Sequence, residues 1–124
     1  MIPGSYGWWV IDGHVTGLRV KAATRFIDRL VGVGPRVRFQ SFDVLWIPSC
    51  QAVHTVGLRR SIDIVFATRL GRVVEVATAV EPSSWLWRPS AQAVWELRSG
   101  VALGLGVRIG GVVSVQHDPR CDEE

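Results

Sequence analysis

Short apolar runs, separated by glycine, proline and polar residues, make up most of the chain and predict strands more than helices. Two of the runs flank Asp12-Gly13, a residue pair typical of the two-residue turn of a β-hairpin. Two others are rich in β-branched residues and are joined across Arg69-Leu70-Gly71, which indicates a second hairpin. The runs predicted as strands are 8–11, 15–21, 36–47, 61–68, 72–80, 91–98 and 111–116.

The helix signals are fewer. Apolar residues fall on one side of 24–31 at helical spacing, which predicts the main helix of the protein near its N-terminus. Residues 99–106 predict one short helical turn. Residues 83–90 follow Pro82 and contain Pro89, so we predict that they form largely a loop.

Strands at short spacing with one main short helix predict a mainly β fold, of the β-rich α+β kind. We expect a small antiparallel sandwich or jelly-roll-like pseudo-barrel, because a parallel α/β sheet would require a helix between most strands. A chain of 124 residues is a single domain by length, spanning 1–124, with a polar C-terminal tail over about 117–124. The residues expected in the core are Ile62, Ile64, Phe66, Val74 and Val76.

Composition and charge limit the classes of partner. The net charge of +3 raises the question of nucleic-acid binding, but the arginines are scattered among the acids without a basic run. We therefore expect no nucleic-acid partner. The chain has no run of the ~20 apolar residues that a membrane helix requires, and its N-terminal apolar run lacks the basic start of a signal peptide. These features predict a cytoplasmic protein without a membrane partner.

Several groups of residues occur in the order of a known sequence pattern. They are Val53, His54 and Thr55, then Ile62, Asp63 and Phe66, then Gly71, Val73 and Val74, and finally Glu96, Leu97 and Gly100. Over about residues 18–113 the chain resembles the bacterial and archaeal domain-of-unknown-function family 192, also called uncharacterised protein family 0127. It departs from the family pattern at Leu58 (usually Met), Ser61 (usually Pro) and Gly111 (usually Asp). The resemblance implies a bacterial, β-rich, jelly-roll or barrel-like protein without an established activity.

Cys50, His54 and Asp63 lie close together in a chain that has two cysteines and three histidines. A tight hairpin between their segments would pair His54 with Asp63 and place Cys50 on the same face. Three interpretations are open: catalysis by a cysteine with a histidine base, a zinc site with these ligands, or a buried cysteine beside a structural His–Asp hydrogen bond. We favour the structural interpretation and expect no metal and no cofactor.

Trp85 and Trp87 either line a ligand mouth or partner surface, or cover one end of the fold with buried rings, and we favour the buried rings. Arg59 either meets an anionic ligand or is solvated in a turn. We predict a non-catalytic ligand-binding or accessory, protein-interaction domain, whose partner is an unknown small ligand or protein. Its expected binding residues are His54, Thr55, Arg59, Asp63, Trp85 and Trp87. The alternative is a Cys/His-dependent or metal-dependent hydrolase that uses Cys50, His54 and Asp63.

Overall fold

A computed structural model describes residues 6–23 and 42–118. Nine strands and one helical turn make up the regular structure of these residues. The strands are β1 (Tyr6–Ile11), β2 (His14–Ala22), β3 (Val44–Pro48), β4 (Ala52–His54), β5 (Ile62–Ala67), β6 (Val73–Val80), β7 (Trp85–Trp87), β8 (Ala93–Arg98) and β9 (Val113–His117). The helical turn, α1 (Val101–Gly104), lies between β8 and β9. The prediction of a mainly β protein is confirmed.

Seven of the strands form one sheet in the order β6-β5-β8-β3-β2-β1-β9, and β4 and β7 form a separate two-stranded sheet. The pairs are antiparallel except β2 with β3, which is parallel. The two edge strands, β6 and β9, approach each other where they begin, at a bridge between Arg72 and Val112. The sheet does not close into a barrel.

Both predicted hairpins are present. Asp12 and Gly13 adopt left-handed conformations, with φ of 49° and 81°, between the paired ends of β1 and β2. The turn between β5 and β6 closes with a bond from the Gly71 amide to the Thr68 carbonyl, 2.9 Å long. Gly71 has a φ of 91°, and a Cβ there would collide with the Val113 carbonyl oxygen, so this position requires glycine.

The large sheet is covered on both faces at β5, which is why all six residues of that strand are buried. Strand alternation sends Ile62, Ile64 and Phe66 into one apolar cluster, as predicted, and Val65 into the other. The predicted core residues on β6 are less buried than expected. Val74 and Val76 are half-buried and pack against the edges of the two clusters, since β6 is an edge strand.

Other sequence predictions have mixed outcomes. The short helical turn in 99–106 and the strand in 91–98 are confirmed. The predicted helix over 24–31 lies outside the described residues. Most of 83–90 lies outside regular structure, as predicted, but three of its residues form β7, which lies between the two prolines and pairs with β4. Proline fixes its own φ and restricts the residue before it, and β7 ends two residues before Pro89.

Candidate functional site

One buried threonine, Thr55, helps to fix the small sheet to the rest of the protein. The Thr55 hydroxyl donates to the Glu81 carbonyl over 2.7 Å and accepts from the Ser84 amide over 2.8 Å. The Thr55 amide also donates to the Ser84 carbonyl, and its carbonyl accepts from the Ser83 amide. These bonds hold the turn that precedes Trp85. The residue that the sequence placed at a binding surface is therefore buried beneath it, and it positions β7.

Alternation along the two short strands separates an inner from an outer face. Val53 and Leu86 are directly paired and pack into the core. The outer face carries Trp85 and Trp87, whose surfaces are 74% and 64% exposed. The His54 ring contacts the Trp85 ring at a centroid distance of 5.0 Å. The prediction that the tryptophan rings are buried is wrong, because β7 turns both of them outward.

A cleft of about 600 Å³ opens beside this outer face, at the end nearest Trp87. Three connecting segments that are distant in sequence form much of its walls: the β3–β4 connection, the β5–β6 turn and the segment before β8. Ala52 on β4 and Trp87 on β7 form the rest. Its volume lies in the range of small-molecule sites, about 300–1,000 Å³. The lining residues are Ser49, Cys50, Gln51, Ala52, Arg69, Trp87, Ala91 and Gln92.

Hydrogen bonds that converge on Gln92 hold the cleft walls together. Its carbonyl accepts from the Cys50 amide over 3.3 Å, and its amide donates to the Ala67 carbonyl over 2.8 Å. Its side-chain Oε1 accepts from the Arg69 amide over 2.9 Å. One residue thus joins all three wall segments, so the cleft is formed before any ligand arrives.

The Trp87 side of the cleft is held by Arg88. The Arg88 Nε lies 2.8 Å from both carboxylate oxygens of Glu75 on β6, and its Nη1 donates to the Trp87 carbonyl over 2.9 Å. The bond with Glu75 raises the pKa of the Arg88 guanidinium above its ordinary value. The Arg88 amide donates to the Gln51 carbonyl over 2.8 Å. These bonds fix the backbone after Trp87, whose exposed side chain lines the cleft.

The predicted hairpin that pairs His54 with Asp63 is wrong. His54 lies opposite Trp85 in the small sheet, whereas Asp63 lies in the large sheet opposite Leu97. The Cys50 thiol donates to the Ala52 carbonyl over 3.0 Å and lines the cleft, which His54 does not. Each of the three residues expected in one place therefore belongs to a different environment.

Asp63 is fully buried and binds three backbone amides. One carboxylate oxygen accepts from Ala79 over 2.9 Å, and the other accepts from Gly100 and Ala102 over 3.0 Å each. The Ala79 amide lies in a bulge of β6, where the φ of Ala79 is 50°. The other two amides begin α1. Asp63 thus caps the start of α1 and accepts the amide hydrogen that the bulge of β6 leaves unpaired in the sheet. The role of this buried carboxylate is structural.

Arg59 is exposed and does not line the cleft. Within residues 6–23 and 42–118, no three His, Cys, Asp or Glu side chains are grouped to hold a metal ion. Sequence reasoning missed Arg69, Gln51 and Gln92, which come from turns far apart in the chain and carry no motif.

Comparison with known proteins identifies the family. The family DUF192, described as Uncharacterized ACR, matches residues 9–115 of this chain. The chain belongs to this family, as the resemblance in its sequence indicated. No curated protein matches it.

Two solved structures share the fold. A protein of unknown function from Novosphingobium aromaticivorans is 20% identical, with a TM-score of 0.73 over 86% of this chain and 83% of that one. A protein from Sinorhizobium meliloti, named as a "putative transcription regulator", is 16% identical, with a TM-score of 0.77 over 93% of this chain and 97% of that one. At these identities the likeness extends to the fold alone. No helix in the described ranges is long and apolar enough to cross a membrane.

Proposed function

We propose that the protein is a non-catalytic binding protein for a small molecule, and that its binding site is the cleft between Trp87 and the β5–β6 turn. The observation that carries the proposal is the cleft itself, about 600 Å³ in volume and open beside an exposed tryptophan ring. Small-molecule sites typically combine such a concave, mainly apolar surface with a few polar groups in fixed positions.

The fixed walls support binding as the function. A site whose walls are already hydrogen-bonded loses less conformational freedom when a ligand binds, and the ligand therefore binds more tightly. Gln92 and Arg88 provide this rigidity from opposite sides of the cleft. Trp85 and His54, next along the same outer face, extend the surface that a larger ligand or a partner would contact.

The hydrogen bonds of Asp63 support a binding function over a hydrolase function. A cysteine–histidine mechanism requires a base within hydrogen-bond reach of the thiol and a third group that orients this base. Among the described residues, the Asp63 carboxylate accepts hydrogen bonds from the backbone amides of Ala79 on β6 and of Gly100 and Ala102 at the start of α1. Its burial there is explained without a reaction.

A fragment screen by ¹H–¹⁵N NMR tests the proposal. A library of small aromatic, aliphatic and charged fragments is added to the ¹⁵N-labelled protein, and shifted amide and indole signals are assigned. We expect the shifts of the binding fragments to concentrate at Cys50, Trp87 and Gln92. Fragments that shift only distant signals, or no binding fragment at all, would contradict the proposal.

A filled cleft provides the control. Ala52 is exposed, lines the cleft and lies directly opposite Trp87, so Ala52→Trp places a second large ring in the space without disturbing the core. The matched variant Val56→Trp adds the same ring at a 49% exposed position beyond β4 and outside the cleft. We expect fragment binding to be lost in Ala52→Trp and kept in Val56→Trp.

A further inference from the structure

The residues that line the cleft indicate the chemical class of the ligand, given that the cleft binds a small molecule as proposed above. The cleft lining includes one charged residue, Arg69, and no acid. In the part of the chain that the structure describes, Arg69 forms a hydrogen bond through its backbone amide, and its guanidinium forms no ion pair. A guanidinium presents five N–H donors in a planar fork that matches a carboxylate. The electrostatics of the cleft therefore favour an anion.

A second donor accompanies the arginine. The Gln92 Oε1 accepts the Arg69 amide hydrogen, which fixes the orientation of the side-chain amide, so its Nε2 group remains a donor. In contrast, the Nε2 of Gln51 donates to the Pro89 carbonyl over 3.0 Å, which leaves its Oε1 as an acceptor. The side of the cleft near Arg69 is thus rich in donors, and a ligand that presents acceptor oxygens there satisfies them.

The shape of the cleft restricts the rest of the ligand. The Trp87 ring offers a flat, 64% exposed apolar surface. Ala52 and Ala91 are small and leave the space beside that ring open. A flat ring stacked on an indole is a favourable arrangement. We propose that the ligand is a planar aromatic carboxylate, with its ring against Trp87 and its carboxylate bound by Arg69 and Gln92.

Isothermal titration calorimetry with three probes tests this inference. The probes are 1-naphthoate, its neutral counterpart 1-naphthamide, and inorganic phosphate. We expect 1-naphthoate to bind about tenfold more tightly than 1-naphthamide, or more, because charge-assisted hydrogen bonds are about twice as strong as neutral ones. We also expect phosphate, which lacks the ring, to bind more weakly than 1-naphthoate.

Two arginine variants locate the effect. Arg69→Gln removes the guanidinium and keeps the backbone amide that bonds to Gln92, so the cleft walls remain joined. Arg108→Gln makes the same change of charge at an exposed turn outside the cleft. We expect the preference for naphthoate over naphthamide to disappear in Arg69→Gln and to remain in Arg108→Gln.

The outcomes separate the two proposals. Equal affinity for naphthoate and naphthamide in the wild type, or a preference that survives Arg69→Gln, would overturn the carboxylate inference. Phosphate binding as tight as naphthoate binding would also overturn it, since the site would then be a bare anion site. In each case fragments bound in the cleft would leave the proposed binding function standing. If no fragment binds in the cleft, both the carboxylate inference and the proposed binding function are overturned.

Discussion

The replacement Asp63→Asn tests whether one buried carboxylate holds the large sheet and α1 together. Asparagine keeps the shape of aspartate but has one acceptor oxygen and one NH₂ donor in place of two acceptor oxygens. In the better of its two orientations, the oxygen still accepts from Gly100 and Ala102, and the NH₂ group faces the Ala79 amide. One hydrogen bond is then lost, and two are no longer charge-assisted.

The expected loss of stability in Asp63→Asn follows from these three hydrogen bonds. Hydrogen bonds to a charged group contribute about 1.5–3 kcal/mol each, neutral ones about 0.5–1.5 kcal/mol, and an unsatisfied buried donor costs about 1–3 kcal/mol. The Ala79 amide lies at the partly exposed edge of β6. Leaving this amide without an acceptor therefore costs about 1 kcal/mol, the lower end of the range for an unsatisfied buried donor. We expect Asp63→Asn to lower the free energy of unfolding by about 2–4 kcal/mol, a large share of the ~5–15 kcal/mol of a typical domain.

Urea denaturation measures this loss, and hydrogen exchange locates it. The amides of Ala79, Gly100 and Ala102 should lose protection in the variant. The control is Asp43→Asn: one oxygen of Asp43 accepts from the Arg19 amide, a bond that asparagine keeps. Its ion pair with Arg98 is long, at 3.9 Å, and largely exposed, so its loss costs little. A loss for Asp63→Asn no larger than that for Asp43→Asn would refute the structural account of Asp63.

Three further predictions concern the small sheet, the core and the thiol. Thr55→Val removes the hydrogen bonds of the hydroxyl at constant shape and should lower the free energy of unfolding by about 1–3 kcal/mol. Thr55→Ser should retain most of the stability, and equal losses in the two variants would contradict the role of the hydroxyl. Phe66→Ala should cost about 3–5 kcal/mol in urea denaturation, because Phe66 is fully buried; a cost below ~1 kcal/mol would contradict its place in the core. Cys50 should react with iodoacetamide no faster than a simple thiol, with the same rate in His54→Ala; a fast rate that depends on His54 would restore the hydrolase alternative.

Local chemistry explains which parts of the fold the sequence predicted. The Asp12-Gly13 turn was predictable because few other residue pairs adopt two successive left-handed conformations. The burial of Ile62, Ile64 and Phe66 followed from alternation in a β-branched run. In both cases the signal lies within a few residues of the feature that it predicts.

The failed predictions depend on contacts between distant segments. The strand β7, which the sequence did not predict within 83–90, pairs with β4 after a turn that Thr55 holds, and nothing within 83–90 indicates those contacts. The pairing of His54 with Asp63 assumed that neighbouring segments form a hairpin, whereas their partners come from later in the chain. The cleft was unpredictable for the same reason, since Gln92 joins walls that the sequence separates.

The central claim is that the cleft binds a small molecule. Protection of the Cys50 thiol from alkylation by a bound ligand tests it most directly, because Cys50 lines the cleft. The second cysteine is first replaced (Cys121→Ser), so that alkylation reports on Cys50 alone. Iodoacetamide kinetics are then measured with and without 1-naphthoate, or with the tightest-binding fragment of the screen. At a ligand concentration ten times its Kd, about one site in eleven is empty, so the rate should fall roughly tenfold. An unchanged rate at a concentration where calorimetry shows saturation would place the ligand elsewhere and contradict the account.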